Sequence, residues 1–436
     1  MSALKAETAG GTAALKKGLR QHPVMSVLFL LSWGHLVVDM AQGAIPALLP
    51  VLKQAFALSY AQVSLLVLVS NVASSVIQPL FGYFADRRPA RWLLPAGCLV
   101  AGLGLAATGR LPWFALLLPA VAVSSLGVAA YHPEGSRVAD LASGIRKGSG
   151  MAVFSVGGNL GFGLGALFMS SLLTLGGAKN TVYFALPGVL TAAVLLVILA
   201  RLRFLPEERE KAKSHRASRG EAGGEPAGGT RPEGGRAAGK AISGTAVAFG
   251  VLLLYIVCRS WLHAGLSTYV PLYYTDYLHG DPHLAGYFVS VFLLAGAAGT
   301  ILGGPLTDVL GAPWVMTASM AVQIPLLYLF PRAGGGLAAL VLLALTGLAL
   351  ISTFSTTIVL GQQLLPRSKG LASGFTIGFG VGMGGVGVTL LGFLADRLGV
   401  PAVFSVLNLL AVAGLLLAVA LGRRFARLAG PAPENR

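Results

Sequence analysis

Ser32-Trp33-Gly34-His35-Leu36-Val37-Val38-Asp39-Met40-Ala41-Gln42 lies inside an apolar run from about residue 25 to 52. A bilayer crossing needs roughly 20 mostly apolar residues, so the run is long enough to span. Residues three and four apart are neighbours on a helix, which puts His35, Asp39 and Gln42 on one face. An acid and a histidine are therefore expected at membrane depth. An Asp at the centre of a spanning helix disfavours insertion by about 2.5 to 3.5 kcal/mol, so it must face a partner or a wet cavity. Two readings follow: a functional carboxylate, or a structural one held by hydrogen bonds.

Working outward, hydrophobic residues make up 55% of the 436 and charged residues 11%. Ordinary soluble domains carry about 25% charged residues, so a soluble enzyme is excluded. The net charge of +16 would suit nucleic acid. The basic residues, however, sit almost wholly between apolar runs, as in a membrane protein with basic cytoplasmic loops, and no nucleic-acid partner is expected. Cys98 and Cys258 both fall in apolar runs and read as free and buried, a disulfide between them being the alternative.

Runs of spanning length fall at about 25–52, 61–85, 92–109, 112–140, 148–176 and 181–203, and again at about 245–278, 284–307, 313–331, 336–364, 370–396 and 400–422. The fold class is all-α and integral to the membrane, with twelve helices in two pseudo-symmetric six-helix halves. The halves occupy 25–204 and 242–424. Residues 1–24 and 425–436 read as cytoplasmic tails, the first being an Ala/Gly/Lys-rich segment without a cleavable signal. Residues 205–241 contain Glu207-Glu208-Arg209-Glu210-Lys211 and Gly224-Glu225-Pro226, too few apolar residues to bury a core. They read as a flexible cytoplasmic linker, with a regulatory segment as the alternative.

Basic residues orient the chain. With both termini inside, the outward loops hold Lys53, Arg110, Lys179, Arg332 and Arg397, while Arg259 lies within a span and the rest fall inward. That asymmetry predicts a multi-pass protein of the cell's inner membrane with both termini cytoplasmic.

The halves also repeat in residues. Ser32-Trp33-Gly34-His35 in the first helix recurs as Ser260-Trp261-Leu262-His263 in the seventh, and Arg146-Lys147-Gly148 recurs as Arg367-Ser368-Lys369-Gly370. Repeat interfaces are where transporters place substrates. Gly157, Gly161 and Gly165, then Gly374, Gly378 and Gly382, are each four apart and suit close helix packing.

The second helix ends Gly82-Tyr83-Phe84-Ala85-Asp86-Arg87-Arg88 and the eighth ends Gly304-Pro305-Leu306-Thr307-Asp308-Val309-Leu310-Gly311. A glycine permits close approach, and an Asp one turn later can attract the positive N-terminus of a neighbouring helix. This pattern resembles the signature loop of the major facilitator superfamily. The resemblance implies that Asp86, Arg87 and Asp308 take part in switching access, although Ala312 and Pro313 stand where basic residues are expected. A third copy, Gly392-Phe393-Leu394-Ala395-Asp396-Arg397, falls on the outer side and either locks an external gate or simply ends a helix.

Tyr131-His132-Pro133-Glu134-Gly135-Ser136-Arg137, taken with His35, Asp39, Gln42, Gln78-Pro79 and Gly157-Gly158-Asn159, is similar to the fosmidomycin resistance proteins. Gly303-Gly304-Pro305-Leu306, Leu364-Leu365-Pro366 and Gly382-x-Gly384-Gly385-x-Gly387 extend the resemblance through the second half, with Gln363 where a glutamate is expected. It implies a proton-coupled drug exporter with no cofactor, acting on a small molecule as a monomer in the bilayer.

Asp39 and Glu134 are the proton-carrying candidates. His35, Gln42, His132, Arg137, Arg259 and His263 are the substrate candidates, and no metal site or catalytic group is expected. Glu134 and Arg137, three apart on a helix, either neutralise each other or form a competition in which protonating Glu134 frees Arg137 for an anion. Arg259, one turn before His263, either pairs with Asp39 or holds an anionic ligand. Tyr269, Tyr273, Tyr274 and Tyr277 read as interfacial anchors. Uptake of a small organic anion, or a receptor or lipid-handling role on the same fold, are the functional alternatives.

Overall fold

The computed structural model describes residues 24–87, 90–144, 147–201, 235–365 and 375–429. Residues 1–23, residues 430–436 and most of the proposed linker lie outside these, as do Arg146, Gly374 and the Arg367 to Gly370 segment, while 425–429 of the expected tail continue the last helix. The described residues are almost entirely helical, with no strand among them. The first half comprises α1 (Met25–Phe56), α2 (Tyr60–Ser75), α3 (Gln78–Arg87), α4 (Leu93–Ala107), α5 (Phe114–Ala142), α6 (Lys147–Gly176) and α7 (Ala185–Arg201). The second comprises α8 (Gly235–Asp276), α9 (Ala285–Leu310), α10 (Ala312–Leu329), α11 (Leu337–Ile351), α12 (Thr353–Leu364), α13 (Gly380–Leu398) and α14 (Val400–Ala429).

Among these residues 11 stretches are long and apolar enough to cross a membrane. One of them, Gly150–Ile198, has 49 residues. At 1.5 Å per residue that is about 70 Å of helix, more than twice the roughly 30 Å hydrocarbon core. It is two crossings, α6 and α7, joined by a 3-10 segment over Gly177–Phe184. The described residues thus hold twelve spans of crossing length, with α2 and α3 making one and α11 and α12 another. The helices are apolar on their outer faces, where Phe29, Leu80, Leu190, Leu409 and Leu416 are all exposed.

The halves repeat in packing. In the first, α1 packs on α6, α4 on α7 and α2 on α5; in the second, α8 packs on α13, α10 on α14 and α9 on α11. The halves meet through α2 against α13 and α6 against α9. We call the side where α1 begins and α14 ends the terminal face and the opposite side the far face. Lys53, Arg110, Lys179, Arg332 and Arg397 all stand at helix ends or turns of the far face.

Three expectations change. The second crossing is not one helix, since the chain turns at 76–77 between α2 and α3. Tyr269 and Tyr273 are buried, donating to the carbonyls of Val388 and Pro331 at 2.9 Å, and only Tyr277 sits at the surface as an interfacial anchor would. The glycine face of the eleventh crossing also shifts. Gly378 has no described neighbour within 4 Å of an added Cβ, whereas Gly380 and Gly384 face Ser260 of α8. A π-helical turn over Phe375–Phe379 precedes α13, and its extra residue per turn rotates the packing face relative to a continuous α-helix.

Candidate functional site: a carboxylate between two histidines, and a buried guanidinium

The glycines of α6 build the site. A Cβ at Gly157, Gly161 or Gly165 would collide with the carbonyls of Ser32, Leu36 and Met40, so the two rows, each spaced by four, bring the backbones of α6 and α1 together. Gly158, on the adjoining row, lies against His35 and Asp39; a Cβ there would stand 2.6 Å from Asp39 Oδ2. The approach also lets Ser32 Oγ donate to the Val153 carbonyl at 2.7 Å.

His35 Nδ1 lies 2.8 Å from the carbonyl oxygen of Phe154, and its ring stacks on the Phe154 ring at 4.2 Å. A carbonyl only accepts, so Nδ1 carries a proton. His35 Nε2 then faces Asp39 Oδ2 at 3.2 Å, while His132 Nε2 faces Asp39 Oδ1 at 2.9 Å. A neutral His35 would point a lone pair at a carboxylate oxygen. The contact is attractive only with one further proton, on the imidazole or on the carboxyl. The three side chains thus form a hydrogen-bonded cluster around a carboxylate that is almost wholly buried.

The same donors, all within 4.8 Å of one another, are the group among the described residues compact enough for a metal ion. The two imidazole–carboxylate separations are those of direct hydrogen bonds. Bonds of about 2.0–2.2 Å to a tetrahedral metal would hold donors roughly 3.3 Å or more apart.

Glu134 on α5 is fully buried and bound at both oxygens by Arg137, Nε to Oε2 at 2.9 Å and Nη2 to Oε1 at 2.6 Å. The neutralising pair expected from the spacing is therefore present. Gln42 is turned away from the cluster, with Nε2 donating to Ser74 Oγ at 3.2 Å and to Asn71 Oδ1 at 3.4 Å on α2.

Asp39 does not pair with Arg259. The guanidinium is 5% exposed, lies 5.3 Å from the Phe354 ring centroid, and its Nε has no hydrogen-bond partner among the described residues. Between residues 245 and 424 the acids are Asp276, Asp281, Asp308 and Asp396, all at helix ends or in loops. A buried cation without a carboxylate is an attractor for an anion. Arg259 Nη2 points toward the start of α13, 3.9 Å from where a Cβ on Gly380 would stand. His263, one turn along, packs at 5.7 Å on Phe292.

The switch candidates divide. The side chains of Asp86 and Arg87 lie outside the described residues, and Asp308 is exposed at the end of α9, before Gly311 turns the chain at φ +83°. Asp396 is engaged, accepting the backbone N–H groups of Tyr60 and Ala61 at 2.7 and 3.0 Å. Sequence reasoning missed Asp276, whose carboxylate receives Lys53 Nζ at 3.1 Å and the Tyr60 hydroxyl at 2.8 Å. The available signal was opposite charge at the far ends of the first and seventh helices. It also missed the Phe154 carbonyl, which no residue pattern marks.

The Major Facilitator Superfamily matches this chain over residues 31–387 and 265–435. The chain is 33% identical to an uncharacterized MFS-type transporter, YfnC, of Bacillus subtilis (strain 168), over 93% of this chain and 95% of that protein. It is 32% identical to the fosmidomycin resistance protein of Escherichia coli (strain K12), over 95% of this chain and 97% of that protein. A bacterial homologue of the human lysosomal transporter Spinster, solved inward-facing and unoccupied, shares the fold with a TM-score of 0.73 at 15% identity, covering 94% of this chain and 98% of that one.

Proposed function

Because the chain belongs to the major facilitator superfamily, we propose that it is a proton-coupled antiporter that exports a small drug-like or anionic compound by alternating access. The observation that carries this reading is the division of buried charge. The first half holds the acids Asp39 and Glu134 at membrane depth, and the second holds Arg259 without one. A proton and an anion thus have separate addresses, one in each half, and rocking of the halves changes the surroundings of both.

In this mechanism the exchangeable proton sits between Asp39 and His35, with His132 donating to the second carboxylate oxygen. Arg259 takes the anionic group of the compound and His263 adds a second donor on the same face. Glu134 enters the cycle only when Arg137 leaves it, and Gln42 serves the cavity wall toward α2. Asp86, Arg87 and Asp308 act at the terminal face, which the basic residues assign to the cytoplasm. A ligand shifts access only through unequal affinity for the two states, and loading or unloading Asp39 supplies that inequality.

The similarity to a fosmidomycin resistance protein selects the first compound to test. Expression in a fosmidomycin-sensitive strain, paired with substrate-dependent proton flux in proteoliposomes, is expected to give resistance and proton counterflow. Sensitisation would indicate uptake by the same site. Absence of any substrate-dependent proton movement across a panel of small anions and neutral drugs would overturn the coupling.

A further inference from the structure

The first turn of α2 leaves two backbone donors for the opposite half. Ser59 and Gln62 form a capping box, Gln62 N–H donating to Ser59 Oγ at 3.2 Å and Ser59 N–H to Gln62 Oε1 at 2.9 Å. Val63 N–H already reaches the Ser59 carbonyl at 3.0 Å. The N–H groups of Tyr60 and Ala61 remain, and both go to the carboxylate of Asp396 at the end of α13. That carboxylate gains the positive end of the helix as well. Gly392, one turn before Asp396, makes the reach possible, because a Cβ there would stand 3.0 Å from both Ala61 Cα and the Tyr60 carbonyl oxygen and 2.6 Å from Ser64 Oγ.

A second contact lies beside the first. Asp276, closing α8, receives the Tyr60 hydroxyl and Lys53 Nζ on one oxygen, and Thr275 Oγ1 donates to the other at 3.1 Å. The Lys53 ammonium also lies 4.5 Å from the Tyr60 ring centroid. Tyr60 therefore serves both carboxylates, one with its backbone and one with its hydroxyl. Among the described residues the glycines of the other two copies of the pattern show no such approach to the opposite half. Among the described residues a Cβ at Gly82 would meet Pro133, in its own half, at 3.7 Å, and one at Gly304 would meet none within 4 Å.

We infer that Asp396 and Asp276 form a two-point latch that holds the far face shut, with Tyr60 and Lys53 as its shared catch. The latch goes beyond the proposed transport reaction, since it acts whatever compound is carried. Both carboxylates are partly exposed and return to water when the halves part. Each point therefore contributes modestly and releases reversibly, as a gate that opens every cycle requires.

Spin labels at Trp113→Cys and Leu337→Cys report the far-face opening in the full chain in nanodiscs, without substrate or pH gradient. Both positions are largely exposed, at 69% and 77%, and the native cysteines are buried. D276N/D396N is expected to raise the long-distance population about threefold to tenfold, and K53D alone to raise it less. The exchange K53D/D276K is expected to return it toward the parent value. An unchanged distance distribution in D276N/D396N overturns the latch. So does an exchange variant as open as K53D, which also decides the matter if a single variant folds poorly. Neither result depends on proton-coupled export being correct.

Discussion

His132 Nε2 and Asp39 Oδ1 lie 2.9 Å apart, tying α5 to α1 at the depth where a lone carboxylate would be least tolerated. With His35 on the other oxygen, Asp39 differs from Glu134, the other buried acid among the described residues, which is held by an arginine; an imidazole can exchange a proton near neutral pH where a guanidinium cannot. Asp39→Asn should therefore abolish accumulation driven by a pH gradient, lowering it more than about tenfold, while leaving downhill exchange measurable. Gradient-driven and counterflow transport in proteoliposomes separate the two. Full gradient-driven flux in Asp39→Asn would exclude this carboxylate as the carrier.

Arg259 makes a different demand. A guanidinium's planar fork can hold an oxyanion through two donors, which a lysine ammonium cannot reproduce. Arg259→Lys is expected to weaken apparent affinity for an anionic compound about tenfold, and Arg259→Gln further, while a neutral compound is little affected. Concentration dependence of flux for an anion and its neutral isostere, compared across the two variants, checks it. Equal loss for both compounds would reduce the residue to packing.

The Glu134 and Arg137 pair predicts an asymmetry in stability. Removing one partner leaves a charge without its neutralising neighbour, at a cost of about 3 kcal/mol or more for a buried pair, whereas removing both can be nearly neutral. Glu134→Gln should lower the melting temperature in detergent more than Glu134→Gln/Arg137→Gln does. If the double variant melts lower than the single, the pair is not what stabilises this turn of α5.

Packing predicts a third contrast. Gly161→Ala or Gly165→Ala places a methyl group against the backbone of α1, an overpacking that costs about 1–3 kcal/mol. Gly304→Ala adds a methyl that meets no described residue within 4 Å, and inside α9 it should be neutral or stabilise by up to about 1 kcal/mol. Thermal unfolding of the purified variants measures both. Equal effects would show that the glycines of α6 are not chosen for close approach.

The architecture was legible in the order of residues because it follows from local physics. A run of about 20 apolar residues must be helical in lipid, and basic loops alternate with it. Twelve crossings, the duplicated halves, the cost of Asp39 and the pairing of Glu134 with Arg137 all depend on residues close together in the chain. What the sequence could not decide is which groups meet across long separations. Asp39 was open to Arg259 and instead took His132, because the glycine rows of α6 draw α1 into the first half and leave Arg259 in the second. The tautomer of His35 depends on the Phe154 carbonyl, a backbone atom that every residue possesses and no pattern reveals. Asp396 ended a helix or locked a gate with equal right until the first turn of α2 supplied its N–H groups. Hydrophobic spacing therefore determined the crossings and their repeat. The close approach of particular helices, set by where a side chain is absent, decided which charges found partners among the described residues.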